Sequence, residues 1–227
     1  MRSECPFMVG VAGIGWIGQG QYGCVRRELR RACDDMKVLQ SHLRDASIFL
    51  YPVKHFGRFD SVSRMTCCAV ALAMHDAGMP YSRDAKQDMG LLGTNAEGCL
   101  QSSLGYFKDY VESGRTLARG NLFIYTLPSS PLAEAAIHFG LCGPLLYMTF
   151  PEPGVDQVLR CASSMILNGE TSGMVVVKGD EREALCFILV RKDEGGSDGL
   201  WNLDDVVKVA REISLFAISD RKENGES

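Results

Sequence analysis

The sequence predicts an α/β fold: a five-stranded mixed sheet with helices on both faces and one further helix near the C-terminus. Three observations predict it. Apolar runs of strand length recur at Phe7–Ala12, Asp88–Thr94, Leu145–Phe150, Gly173–Lys178 and Ala184–Arg191. Segments with helical apolar spacing separate the first four runs, which implies crossover connections and parallel strands. The last two runs are joined only by the polar turn Gly179–Glu183, which makes them an antiparallel hairpin.

Each element has its own signal. Phe7–Ala12 (FMVGVA) reads as a buried strand that ends in a glycine-rich turn. Cys24–Cys33 reads as a helix with a basic face, ended by Asp34 and Asp35. In Asp60–Ala77, Val62, Met65, Ala69, Leu72 and Ala73 fall on one helical stripe, and Gly78 stops it. Asp88–Thr94 is a short strand leading into a glycine-rich loop. Leu100–Glu112 is helical, with Leu104, Phe107 and Val111 in register. Ser130-Pro131 opens a helix, with Ser130 as its cap, and Gly140 closes it. Leu145–Phe150 is a strand. The turn Pro151-Glu152-Pro153-Gly154 feeds the helix Val155–Asn168, which Gly169 ends. Leu203–Ile218 is a last amphipathic helix, followed by a polar tail. Residues 1–193 form one domain, and residues 194–227 a spacer, a helix and a frayed tail.

Composition narrows the function. Of the 227 residues, 46% are hydrophobic and 23% charged, which excludes a disordered or collagen-like chain. The net charge of −4 offers no global positive field to nucleic acid or anionic lipid. No apolar run reaches the roughly 18–20 residues of a membrane span. The nine cysteines contain no C-x-x-C pair and the four histidines are isolated, so no metal site is expected. The cysteines, Cys67-Cys68 included, read as reduced, buried thiols of a cytoplasmic protein.

Several motifs invite chemistry. Gly13-x-Gly15-x-x-Gly18 after a strand matches the spacing of a dinucleotide fingerprint. Gly20 and Gly23 prevent a helix from starting where the phosphate needs one, so no cofactor is expected, and a dinucleotide-binding protein is the weaker alternative. Arg26, Arg27, Arg30 and Arg31 form a basic run that could dock an acidic partner or be a solvated face. The segment Phe139–Glu170 has the form of a strand–turn–helix elbow, where a helix N-terminus stabilises an anion. Its turn holds Pro151, Glu152, Pro153 and Gly154, and no Ser, Cys or Lys.

From about Val9 to Arg191 the chain resembles the N-terminal half of the β-ketoacyl-acyl carrier protein synthases, condensing enzymes of thiolase-like fold. Val11-Ala12-Gly13-Ile14-Gly15 with Gly18 is similar to the family's opening strand and turn. Phe59–Gly78 resembles its alanine-rich helix ending in Asp-Ala-Gly. Gly90–Gly98 (GLLGTNAEG) resembles the strand and Gly-Thr loop that follow, and Leu127-Pro128 and Phe139–Pro144 the stretch before the catalytic strand. The resemblance places Glu152 at the position of the family's nucleophilic cysteine. It also implies two catalytic histidines in a C-terminal half, which His42, His55, His75 and His138 do not match. A replaced cysteine is closest to the partner subunits called chain-length factors, although those carry glutamine.

The expectation is therefore a non-catalytic ketosynthase-like protein, a subunit or accessory partner in a fatty-acid-like or polyketide-like pathway that could dock an acyl carrier protein. The enzyme alternative is a malonyl-thioester decarboxylase, or another acyl-thioester enzyme, using Glu152. The run Leu145, Leu146, Tyr147, Met148, Thr149 and Phe150 has no charge, proline or glycine to protect a sheet edge. By the resemblance it pairs across a two-fold axis, giving a homodimer or a heterodimer with a ketosynthase. The helix Val155–Asn168 carries polar residues on one side, with Asp156 and Arg160 spaced as an ion pair. That pattern suits a helix whose outer face meets water.

Overall fold

The computed structural model describes residues 8–33, 35–116, 119–149, 154–192, 201–210 and 213. Among them the sheet has seven strands: β1 (Met8–Gly18), β2 (Gln21–Cys24), β3 (Leu29–Ala32), β4 (Met89–Asn95), β5 (Leu145–Thr149), β6 (Gly173–Gly179) and β7 (Ala184–Lys192). Their order is β3-β2-β1-β7-β6-β4-β5. β4 pairs in parallel with β5 and β6. β1 is antiparallel to β2 and β7, and β6 to β7. The α/β class and the closing hairpin are as the sequence implies, but the sheet has two more strands than the expected five.

Of the two extra strands, β3 lies within Cys24–Cys33, the segment read as a basic helix, and β2 runs into it, ending at Cys24. Gln19 and Gly20 both take positive φ, 52° and 68°. That is the geometry of the two-residue turn that continues strand twist into a hairpin. Tyr22 and Cys24 then alternate inward, with 1% and 2% exposure. Glu28, at φ 51°, turns the chain into β3. The four arginines are divided between this turn and the edge strand, where charge protects against edge pairing. Arg26 donates to Ala12 O and Arg27 Nε to His75 O, so the arginines do not share one helical face. Asp35 does not end a helix. It caps one that the sequence reading missed, α1 (Met36–Asp45), by accepting from Lys37 N at 2.7 Å.

One face of the sheet carries α2 (Ser61–Ala77), flanked by α1 and α5 (Ser130–Phe139). Asp60 caps α2 through Ser63 N, and Gly78, at φ 66°, ends it. α2 is buried nearly all round, and Cys67 and Cys68 are fully buried within it. Burial pushes both thiols up, which removes them from nucleophilic chemistry. In α5 the cap position falls on Ser129; Ser130 lies inside the helix and donates its hydroxyl to Ile124 O. α3 (Leu100–Glu112) and the short α4 (Gly120–Phe123) lead from β4 towards α5.

The opposite face carries α6 (Val155–Leu167) and the helix at residues 203–210. Val158, Leu159, Ala162 and Ile166 of α6 join Val206 and Ala210 in one core cluster under the sheet. The outer side of α6 is polar, and Arg160 Nε donates to both Asp156 oxygens at 3.1 and 3.0 Å. Among the described residues no helix is long and apolar enough to cross a membrane.

Candidate functional site

β4 leads, by way of α3 and α4, to α5 on one face, whereas β5 leads to α6 on the other. Adjacent parallel strands that send the chain to opposite faces open a crevice at their carboxyl ends, where open α/β sheets bind ligands. Here that crevice is lined by Asp60, Thr66, Asn95, Cys99, Tyr125 and Tyr147, among others. Its interior space is about 30 Å³. That is enough to hold a water molecule. Outward it continues into a polar bay of about 540 Å³ bordered by Glu97, Gln101, Asp180, Glu181 and Arg182.

Several polar side chains of the crevice are bonded within the protein. Tyr147 donates to Asn95 Oδ1 at 2.6 Å, and Gly98 N donates to the same oxygen. Asn95 Nδ2 donates to Gly98 O at 3.0 Å and Gly179 O at 3.1 Å. One amide thus ties together the ends of β4, β5 and β6 and the loop that follows β4. Asp60 uses one oxygen on Ser63 N and the other on Ser102 Oγ, at 2.9 and 2.8 Å. The Cys99 thiol donates to Thr126 O at 2.8 Å. Burial pushes the Tyr147 phenol up to about 12; burial, helped by Glu134 and Asp60, does the same to Tyr125. Both stay protonated near neutral pH and act as donors, not bases.

Glu152 and its neighbours Phe150, Pro151 and Pro153 lie outside the described residues. The flanking elements have the elbow order expected: β5 ends at Thr149, and α6 begins at Val155 with Gly154 as its cap residue and no side-chain cap bond. None of the four histidines lines the crevice or the bay. His138 sits on α5 among Phe49, Tyr51, Tyr81 and Phe139, where burial lowers its pKa to about 4.

The dinucleotide alternative is corrected. Gly13, Gly15 and Gly18 lie within β1, with no loop to cradle a phosphate. A Cβ on Gly15 would stand 2.4 Å from Ala73 N, and one on Gly13 2.5 Å from Ala73 O. These glycines let α2 lie against the strand. Asp76 explains the Asp-Ala-Gly ending of that helix. It accepts from Ile14 N at 2.8 Å and Arg27 N at 2.9 Å. The Cys24 thiol also bonds this carboxylate, and burial pushes that thiol up to about 12.

Sequence reasoning did not single out Asn95, Cys99 or Asp60. The available signal was Asn95 at the end of an apolar run beside glycine, the place where a strand meets a loop. Among the described residues no group of His, Cys, Asp and Glu could hold a metal.

No family model and no curated protein matches the chain. Solved structures do match. A chain of a type II PKS acyl-carrier protein in complex with its ketosynthase aligns at TM-score 0.57 and 14% identity, over 82% of this chain and 64% of that one. A β-ketoacyl synthase from Burkholderia phymatum STM815 aligns at 0.53 and 15%, over 80% and 58%. A ketosynthase in complex with its chain length factor, from Xenorhabdus doucetiae, aligns at 0.52 and 13%, over 80% and 78%. The chain spans less than two thirds of the first two of these. Over most of its length, then, it has the thiolase-like fold of the ketosynthase structures.

Proposed function

We propose that the chain is a non-catalytic ketosynthase-like protein that serves as a subunit or accessory partner in a fatty-acid-like or polyketide-like pathway. The observation that carries this reading is the state of the crevice. The fold is that of condensing enzymes, yet Asn95, Tyr147, Asp60 and Cys99 at its carboxyl edge are bonded within the protein. Covalent acyl transfer needs an activated nucleophile, and decarboxylation needs donors free to meet a developing enolate. Asn95 has neither amide proton free, Cys99 is turned to a backbone carbonyl, and no histidine borders the site.

The test is a condensation assay with acyl- and malonyl-carrier substrates. We expect no β-ketoacyl product from the wild type or from Glu152→Cys, since the variant supplies a nucleophile without a base. Turnover above the no-enzyme control by either protein overturns the reading. In this scheme Glu152 acts as a charged group ahead of α6, an arrangement worth about 0.3–1 kcal/mol to a helix. Loss of a measured malonyl-thioester decarboxylation in Glu152→Ala would favour the decarboxylase instead.

The partner proposal rests on β5. It is one of the two edge strands of the sheet, and Leu145 and Leu146 are 37% and 40% exposed. An uncharged edge of this kind can pair with a second copy or with a ketosynthase offering the same edge. Leu146→Lys with Met148→Lys should weaken self-association at least tenfold in a light-scattering dilution series. An unchanged dilution profile would exclude this strand. An acyl carrier protein is a further proposed partner.

A further inference from the structure

We infer that His138 is an acid-sensitive latch: its neutral imidazole pins residues 46–60 against α5, and its protonation releases them. The inference goes beyond the proposed function, since it rests on α5 and the α1–α2 connection and on neither β5 nor Glu152. Residues 46–60 join α1 to α2 and contain one short 3-10 turn, Phe56–Arg58. They bury Ile48, Phe49, Val53, Phe56 and Phe59. A connection without a strand ladder of its own is held largely by side chains. Tyr81 donates to Ile48 O at 3.1 Å and accepts from Leu50 N at 2.8 Å. Tyr51 donates to His138 O at 2.5 Å. Arg83 lies over the Tyr51 ring at 4.6 Å and donates to Pro52 O.

His138 stands at the centre of these contacts. The rings of Tyr51 and Phe139 are 4.7 Å from its own, and those of Phe49 and Tyr81 5.7 Å. The residue is 3% exposed, and neither Nδ1 nor Nε2 has a hydrogen-bond partner. Among the described residues no other side chain has two buried polar atoms in that state. The great majority of buried polar side-chain atoms are bonded, so a histidine with neither nitrogen paired calls for an explanation. An imidazole enclosed in this way fits the fold only when neutral. Protonation would bury a charge and leave two N–H donors facing ring carbon.

The surrounding groups do not offset that charge. From the segment before β4, Arg83 faces the imidazole and repels a second cation, while Asp84 acts on Tyr51. On α5, Glu134 faces Tyr125 and His55. Within residues 46–60, Lys54, His55 and Arg58 are exposed, and Asp60 is bonded to Ser63 N and Ser102 Oγ. On α2, Cys67 and Cys68 are held neutral by burial, Asp76 bonds Ile14 N, and Arg64 bonds Gly57 O. Burial first, and Arg83 second, lower the His138 pKa from the ordinary 6.5 to about 4. The folded value lies below that of the open chain. The latch is therefore fully closed above the open-chain value and weakens as pH falls towards the folded one, with opening rising up to about tenfold per pH unit. Release would bare Phe49 and Phe56 and loosen Asp60, which lines the crevice.

Hydrogen exchange on the full chain at about pH 7.5 and about pH 5, corrected for the intrinsic rates, tests this. Wild-type amides at residues 48–50 should lose protection roughly twentyfold at the lower pH, and those of β7 less than about threefold. His138→Phe keeps an aromatic ring and takes no proton, so its residues 48–50 should change less than about twofold. His75, whose pKa burial also lowers, titrates alike in both proteins. Unchanged protection in the wild type, an equal loss in His138→Phe, or a parallel loss in β7 overturns the inference. Should the variant fold poorly, NMR titration of the wild type decides. The His138 ring protons should keep their neutral shift down to about pH 5, and a midpoint above about 6 overturns the inference. Neither readout depends on a ketosynthase or on condensation, so this inference and the proposed function fail separately.

Discussion

Gly15→Val is expected to prevent the protein from folding. The new Cβ would stand 2.4 Å from Ala73 N, 2.6 Å from Ala69 O and 2.7 Å from Leu72 Cβ. Two of these three atoms are backbone of a helix buried nearly all round, so no rotamer change relieves the overlap. α2 would have to move off β1, opening the core that joins it to the sheet. Overpacking of an adaptable core costs about 1–3 kcal/mol. A backbone clash of this depth should exceed about 4 kcal/mol, a large share of a domain's total stability. Gly18→Ala is the control, because its Cβ would meet only Glu183 Cβ, at 3.4 Å, an ordinary contact. Under a phosphate-cradle reading both glycines would be needed alike. Soluble yield and circular dichroism should separate them. A Gly15→Val protein with wild-type unfolding behaviour would refute this account of the glycines.

Asp76→Ala should produce the next largest loss. The carboxylate is 3% exposed and joins three parts of the fold. It holds the β1 backbone through Ile14 N, the turn before β3 through Arg27 N, and β2 through the Cys24 thiol. Alanine would leave two backbone N–H donors without their acceptor. Hydrogen bonds to a charged group contribute about 1.5–3 kcal/mol each, offset by relief from burying the carboxylate. A net loss of about 3 kcal/mol is expected, read as a lower urea midpoint with little change in slope. Asp76→Asn retains one acceptor oxygen and should lose less. Equal midpoints for the wild type and Asp76→Ala would show that other groups hold the hairpin.

Both predictions concern residues whose type was visible in the sequence and whose role was not. Glycine at three close positions reads locally as a turn, because glycine is the residue that turns tolerate best. The deciding fact is the backbone of α2, about sixty residues away in sequence, lying too close for any side chain. Asp76 reads as the polar end of an amphipathic helix until its two strand partners are in place.

The sequence by itself determined the α/β class, the β6–β7 hairpin and the likeness to ketosynthases. It also determined α2, α5 and α6 with their glycine or polar ends, and the polar outer side of α6. These follow from apolar period, turn residues and capping, all of which act within a few residues of chain. Tertiary structure decided the rest. The segment after Gly18 has arginines suited to a helix, but pairing with β1 makes it two strands. Asn95 and Tyr147 meet only because β4 and β5 lie side by side in one register, with Gly93 opposite Tyr147 and Asn95 opposite Thr149. The stripe of Leu104, Phe107 and Val111 on α3 was legible as a pattern, yet only the assembled fold leaves it uncovered. Apolar spacing records that a face is to be buried; which surface buries it depends on packing between segments far apart in sequence, or between chains.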